Sequence, residues 1–107
     1  MKVSNIFQNI PKDFKEEFFE NLLENDHFRI ERIVSLGNIT PKGEWLVQEE
    51  TEFVLLLSGA AKLIFFENNE TVDMKAGDYI LIPIGTKHRV DWTDESECSF
   101  WIAVHFK

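Results

Sequence analysis

Residues 77–88, Gly-Asp-Tyr-Ile-Leu-Ile-Pro-Ile-Gly-Thr-Lys-His, constrain the fold of this chain more than any other stretch. Gly77-Asp78 open a strand after a tight turn, Tyr79 to Ile82 are strong β-formers, and Pro83 with Gly85 fix the next reversal. Such a segment delivers one imidazole, that of His88, to a fixed place at a strand edge. That placement suits metal binding or acid–base chemistry, and it equally suits a histidine that satisfies a buried polar spot.

The rest of the chain favours the same kind of structure. Asn25-Asp26, Gly37-Asn38, Pro41-Lys42-Gly43, Gly59 and Asn68-Asn69 punctuate short apolar runs at Phe28–Ser35, Trp45–Gln48, Phe53–Leu57, Lys62–Glu67 and Thr71–Met74. Arg89–Trp92 and Ser99–Phe106 continue the pattern, which predicts an antiparallel sandwich or barrel. The N-terminal part reads differently. Asn9-Ile10-Pro11-Lys12-Asp13 resembles a helix start, and Phe14, Phe18 and Leu22 then recur four apart, with Phe19 and Leu23 beside them. Glu16, Glu17, Glu20 and Glu24 take the remaining faces, so an amphipathic helix with a solvated acidic face is expected over residues 12–24.

Length and charge exclude several functions. At 107 residues the chain is one domain with a real core, too small for a separate cofactor domain. Hydrophobic residues make up 44%, with ten Phe, which is globular rather than disordered. Eleven Lys and Arg face 19 Asp and Glu, a net charge of -8, and no basic stripe interrupts the excess. No nucleic acid and no anionic membrane surface is therefore expected as a partner. The one cysteine, Cys98, cannot form an internal disulfide, and no run reads as a signal core or a span, so a cytoplasmic protein is expected. In Phe53–Leu57, Leu63–Phe66 and Ile80–Ile82 both strand faces are apolar, so the N-terminal helix or a second copy must cover one of them; one helix hides only part of a sheet, and a homodimer is expected.

A second glycine-framed block, Gly43 to Gly59, lies upstream. The two blocks together resemble the cupin superfamily. Gly77, Pro83, Gly85 and His88 match its second motif, with Trp92 where the family carries Asn. Glu52 and Gly59 match the end of its first motif, while Gln48 and Leu46 stand where its His-x-His pair belongs. Trp45 with Gln48, Glu52-Phe53-Val54-Leu55, His88-Arg89-Val90-Asp91-Trp92-Thr93 and Ala103-Val104-His105 also look like segments of short uncharacterised bacterial cupins. The resemblance implies an all-β fold, a small single-domain cupin jelly-roll barrel. With the expected helix, residues 1–27 form an N-terminal helical segment and 28–107 the β-barrel.

Gln48 and Glu52 would lie about 13 Å apart on one straight strand, too far to share an ion. A hairpin loop at Glu49-Glu50-Thr51 would bring both to one mouth, where His88 could join them. An amide oxygen, a carboxylate and an imidazole suit a divalent metal such as Mn, Fe, Ni or Zn. The expected metal ligands are therefore His88, Glu52 and Gln48, with His105 as the remaining imidazole; Leu46 cannot ligate. Trp45, Trp92 and Tyr79 are the expected contacts for a small polar ligand. The function that follows is binding of a metal and a small polar molecule, the alternative being a metal-free pocket or a structural homodimer.

Overall fold

A computed structural model describes residues 1–12 and 15–107. Eight strands follow one another: β1 (Phe18–Glu24), β2 (Phe28–Ser35), β3 (Thr51–Ser58), β4 (Ala60–Phe65), β5 (Glu70–Lys75), β6 (Tyr79–Ile82), β7 (His88–Thr93) and β8 (Ser99–Phe106). They form a five-stranded sheet in the order β1-β2-β8-β3-β6 and a three-stranded sheet in the order β5-β4-β7, with every pairing antiparallel. The two sheets are not hydrogen-bonded into one ring, so the expected barrel is an open two-sheet sandwich. No helix among the described residues is long and apolar enough to cross a membrane.

The expected helix over 12–24 is instead strand β1 in its second half; Asp13 and Phe14 lie outside the described residues. The doublets Phe18-Phe19 and Leu22-Leu23 satisfy a helical stripe, and they satisfy a two-faced strand equally well. Pairing decides between them. Phe18 sits opposite Val34, Phe19 opposite Ile33 and Glu20 opposite Arg32 across the β1–β2 ladder. Asn25 then closes the hairpin, its Oδ1 accepting the backbone N–H groups of His27 and Phe28 at 2.8 and 3.0 Å. The expected strand at Trp45–Gln48 shrinks to a single bridge between Leu46 and His88.

Alternation in β3 and β8 sets the inner face. Glu52, Val54 and Leu56 are buried on β3, and Trp101, Ala103 and His105 on β8, while Phe53, Leu55, Ile102 and Val104 turn outward and are half-buried. Ala61, Leu63 and Phe65 of β4, Met74 of β5 and Val90 of β7 meet them from the other sheet. Leu56 is fully buried, a burial that contributes about 1.5–3 kcal/mol. Gly59, between β3 and β4, has φ +91°, and a Cβ there would fall 2.5 Å from Ser99 Cα, so the crossover admits no larger residue. On the outer face Arg32 is buried under the N-terminal segment, its guanidinium donating to the carbonyls of Ile6, Gln8 and Asn9 and pairing with Glu20 at 2.8 Å.

Candidate functional site

Three ionisable residues of the interior, Glu52, His88 and His105, collect at one end of the sandwich, where the segment that joins β2 to β3 bridges to His88. Arg89 holds this segment by donating to Thr40 O at 2.9 Å, while Thr40 N donates to Val90 O and the Thr40 hydroxyl accepts from Val90 N, both at 2.9 Å. Further along, Leu46 and His88 exchange both backbone bonds, at 2.7 and 2.9 Å, and Gly85 N donates to Gln48 O at 3.0 Å. The glycine–proline turn before β7 thus has two tasks. It aims His88 inward and pins Leu46 and Gln48 over the same opening.

Three ladders supply the remaining groups. Glu52 on β3 pairs directly with His105 on β8 and with Ile82 on β6. Glu31 on β2 is opposite Ala103, one inward position along from the Arg29–His105 pair. Glu52, His88 and His105 are 6%, 4% and 1% exposed. His105 Nε2 donates to Glu31 Oε1 at 3.1 Å, and its Nδ1 lies 3.0 Å from the Gln48 amide oxygen. Glu52 Oε2 stands 3.8 Å from His105 Nε2, and Glu52 Oε1 stands 3.8 Å from His88 Nε2. His88 Nδ1 donates to Thr86 O at 3.0 Å. A carbonyl can only accept, so this bond fixes the Nδ1–H tautomer and turns Nε2 toward Glu52.

Glu31, Gln48, Glu52 and His88 line a cavity of about 120 Å³, walled by Ile33, Val54, Leu63, Ile82, Val90 and Trp101, with His105 behind them. Burial pushes the Glu52 carboxyl up from its ordinary range; His105 and His88 pull it down, and Glu31 pushes it up again. Glu17 also reaches the cavity. Its Oε2 accepts from the Ser35 hydroxyl at 2.6 Å, and Ser35 in turn accepts from Trp101 Nε1 at 3.3 Å. Burial raises the Glu17 carboxyl, the Ser35 bond opposes this, and the charges of Glu52 and Glu31 add to the rise.

A cupin-domain family model matches residues 36–105. This chain belongs to the cupin family. Among solved structures, a presumed mannose-6-phosphate isomerase from Ralstonia eutropha JMP134 shares 36% identity with the cupin and superposes at TM-score 0.93, covering 100% of this chain and 99% of its own. The polyketide cyclase RemF from Streptomyces resistomycificus shares 22% at TM-score 0.72, over 86% of this chain and 66% of its own. An RmlC-like cupin from Desulfovibrio desulfuricans shares 18% at TM-score 0.73, over 98% and 96%. These last two show the fold alone. No curated protein matches the sequence.

The cupin brings His88, Glu52 and Gln48 to one cavity and His105 against its wall, but not around one point. Both His105 nitrogens face protein partners, Gln48 on one side and Glu31 on the other. Leu46 puts an aliphatic side chain in the lining where the family's first motif carries imidazole. Among the described residues no group of three or more His, Cys, Asp or Glu is arranged to hold a metal ion. Only His88 Nε2 and the Glu52 carboxylate are left as outward donors, fewer than the three protein ligands of a catalytic zinc site. As they stand, the four residues do not form a complete metal centre.

Trp45, Trp92 and Tyr79 lie elsewhere, and none lines the cavity. Trp45 packs edge-on against Phe66 with ring centroids 5.1 Å apart. Trp92 is exposed, and Tyr79 stacks on Phe53 across the outer face of the five-stranded sheet. Glu31 and Glu17 are the groups that the sequence reading passed over. Glu31 shares strand parity with Ile33, and Glu17, the residue before β1, keeps the same step with Phe19. A charge in step with an inward apolar residue was the available signal.

Proposed function

We propose that this cupin binds a small polar ligand in the cavity, with Glu52 and His88 as the contacting groups and Glu31, Gln48 and His105 as their support. One observation carries the reading. Glu52 Oε1 and His88 Nε2 are buried 3.8 Å apart, beyond hydrogen-bond reach of each other. A ligand group that donates a hydrogen satisfies acceptors that the protein leaves facing one another. A carboxyl raised by burial beside an imidazole of fixed tautomer can also hold or pass a ligand proton.

The name of the Ralstonia relative points to a sugar phosphate. The lining here argues for a different ligand in this chain. Glu17, Glu31 and Glu52 face the cavity, and no Lys or Arg does so among the described lining residues. A phosphate would meet like charge with no cation to pair it, so the ligand is neutral or cationic. The test is an amide-resolved NMR titration with small neutral and cationic fragments. Shifts gathered at Gln48, Glu52, Ile82 and His88 support the proposal, and shifts confined to the outer sheet faces refute it.

A divalent ion such as Mn, Fe, Ni or Zn is the second reading, favoured by the orientation of His88. A backbone carbonyl that holds one ring N–H and turns the other nitrogen toward a carboxylate is how metal-bound imidazoles are supported. Glu52 and His88 would be its ligands, and Gln48 and His105 would join only by releasing each other. The homodimer is also part of the proposal, through the outer face where Phe53, Leu55, Ile102 and Val104 adjoin exposed Tyr79 and Leu81. Free Cys98 fits a reducing cytoplasm.

A further inference from the structure

We propose that the ligand is amphiphilic: a hydrogen-donating head, hydroxyl or amine, in the inner cavity, and an aromatic or branched aliphatic body in the apolar cleft outside it. The inference rests on the ligand-binding reading above and names the ligand class. Size is the first argument. The inner cavity holds about 120 Å³, whereas ordinary ligand pockets run to roughly 300–1,000 Å³. It can take a functional group and little more.

Continuity is the second argument. An open cleft of about 710 Å³ lies against the cavity, and Glu17, Phe19 and Leu46 line both. Its other apolar residues are Leu36, Ile39 and Pro41 of the segment after β2, and Lys15, Glu16, Asn38 and Thr40 complete its lining. Phe19, Leu36, Ile39 and Leu46 are 54%, 43%, 47% and 39% exposed, so four large apolar side chains surround one opening and face solvent. Scattered singly, such exposure is ordinary; gathered around the mouth of a polar cavity, it matches the apolar walls of ligand sites. Leu46 then has a positive role. Where an imidazole would make the neck polar, the leucine makes it a seat for the ligand body.

Charge is the third argument. The inner acceptors are Glu52 Oε1 and His88 Nε2, and Glu17 stands at the neck with its Oε2 already bonded to Ser35. A head that donates hydrogens is matched there, and an anionic head is repelled.

Calorimetry and amide-resolved NMR on the whole chain test this with phenethyl alcohol, phenethylamine, phenylacetate and ethanol. Phenethyl alcohol or phenethylamine is expected to perturb Leu36 and Ile39 together with Glu52 and His88, the two arms separating a neutral donor from a cationic one. Phenylacetate and ethanol are expected to bind at least about tenfold more weakly, the scale set by a few apolar contacts or one mismatched polar group. Ile39→Asp and Leu36→Asp, both at exposed positions, should each weaken the better probe by about tenfold, and Leu46→Asn should do the same at the neck. If ethanol perturbs the inner residues as tightly as the aromatic probes do, the cavity binds ligands and the amphiphile proposal is overturned. If phenylacetate binds as well as the alcohol and amine, the donor head is wrong. Should no probe reach Glu52 and His88, both this inference and the reading beneath it fall.

Discussion

Glu52 and His105 are direct cross-strand partners on the inner face of the β3–β8 ladder, and their side chains come within 3.8 Å although 53 positions separate them in the chain. The ladder register, not a local motif, puts this carboxylate beside this imidazole.

His105 should be a costly residue to remove. It is 1% exposed, and its two ring nitrogens face Glu31 at 3.1 Å and Gln48 at 3.0 Å. His105→Ala leaves both partners unpaired beside a new void, a loss of about 2–4 kcal/mol. Urea denaturation reads this as a lower midpoint at unchanged slope, and a midpoint equal to wild type would contradict the network.

Glu17 has the opposite sign. Burial raises its folded-state carboxyl above the ordinary 4.5, so the folded chain holds more protons than the unfolded one over the range just above that value. Stability is therefore lost as pH rises through this range and does not change on this account below it. Glu17→Gln keeps an acceptor for Ser35 and removes the charge. Its melting temperature should exceed that of wild type at neutral pH, by about 4–8 °C for each kcal/mol recovered in a domain of this size. The gain should vanish once pH falls below 4.5. A lower melting temperature at neutral pH would show that the charge is stabilising. A buried acid that lowers stability is the kind of residue a binding site retains at the fold's expense.

Some of this site was legible in the sequence. Gly77, Pro83, Gly85 and His88 fix one another locally, and the hairpin side of Glu52 is set by the strand that follows, so these positions could be read without coordinates. The inward direction of His105 could not, because it depends on the β2 and β3 partners of β8. Glu17 was hidden for a related reason. In a helix Glu16, Glu17, Glu20 and Glu24 lie together on solvent faces, whereas with β1 paired to β2, Glu17 just before the strand bonds Ser35 and reaches the cavity, and Glu20 meets Arg32 outside. The alternation of Phe18 and Phe19 was compatible with both, and only the tertiary partner chose between them. Tyr79 and Trp92 were recognisable as aromatic strand residues, but the face each would take depends on register.

Metal affinity can be built in. Leu46→His with Gln48→His adds two nitrogen donors on the segment that the Leu46–His88 bridge already holds at the mouth, and frees His105 Nδ1 from its amide partner. The double variant should retain nickel or zinc at least about tenfold more tightly than wild type after dialysis, by elemental analysis. Equal retention in the two proteins would show that these positions do not face a common point.

The outer sheet face should pair two copies. Light scattering should give about twice 12.6 kDa, and Leu81→Asp, opposite Phe53 on the β3–β6 ladder, should return the protein to a monomer. A wild-type mass equal to one chain at micromolar concentration would remove the dimer.

The pairing of Glu52 with His88 as ligand-contacting groups is tested most directly by nitrogen-15 imidazole spectra of His88 with and without a bound probe such as phenethyl alcohol. Recorded at mildly alkaline pH, where imidazole ordinarily carries one proton, the free protein should show a protonated Nδ1, held by Thr86 O, and an unprotonated Nε2. Adding the probe should shift Nε2 while Nδ1 stays in place, and Glu52→Gln should weaken the effect. A protonated Nε2 in the free protein, or an Nε2 signal indifferent to a ligand that binds, would contradict the account.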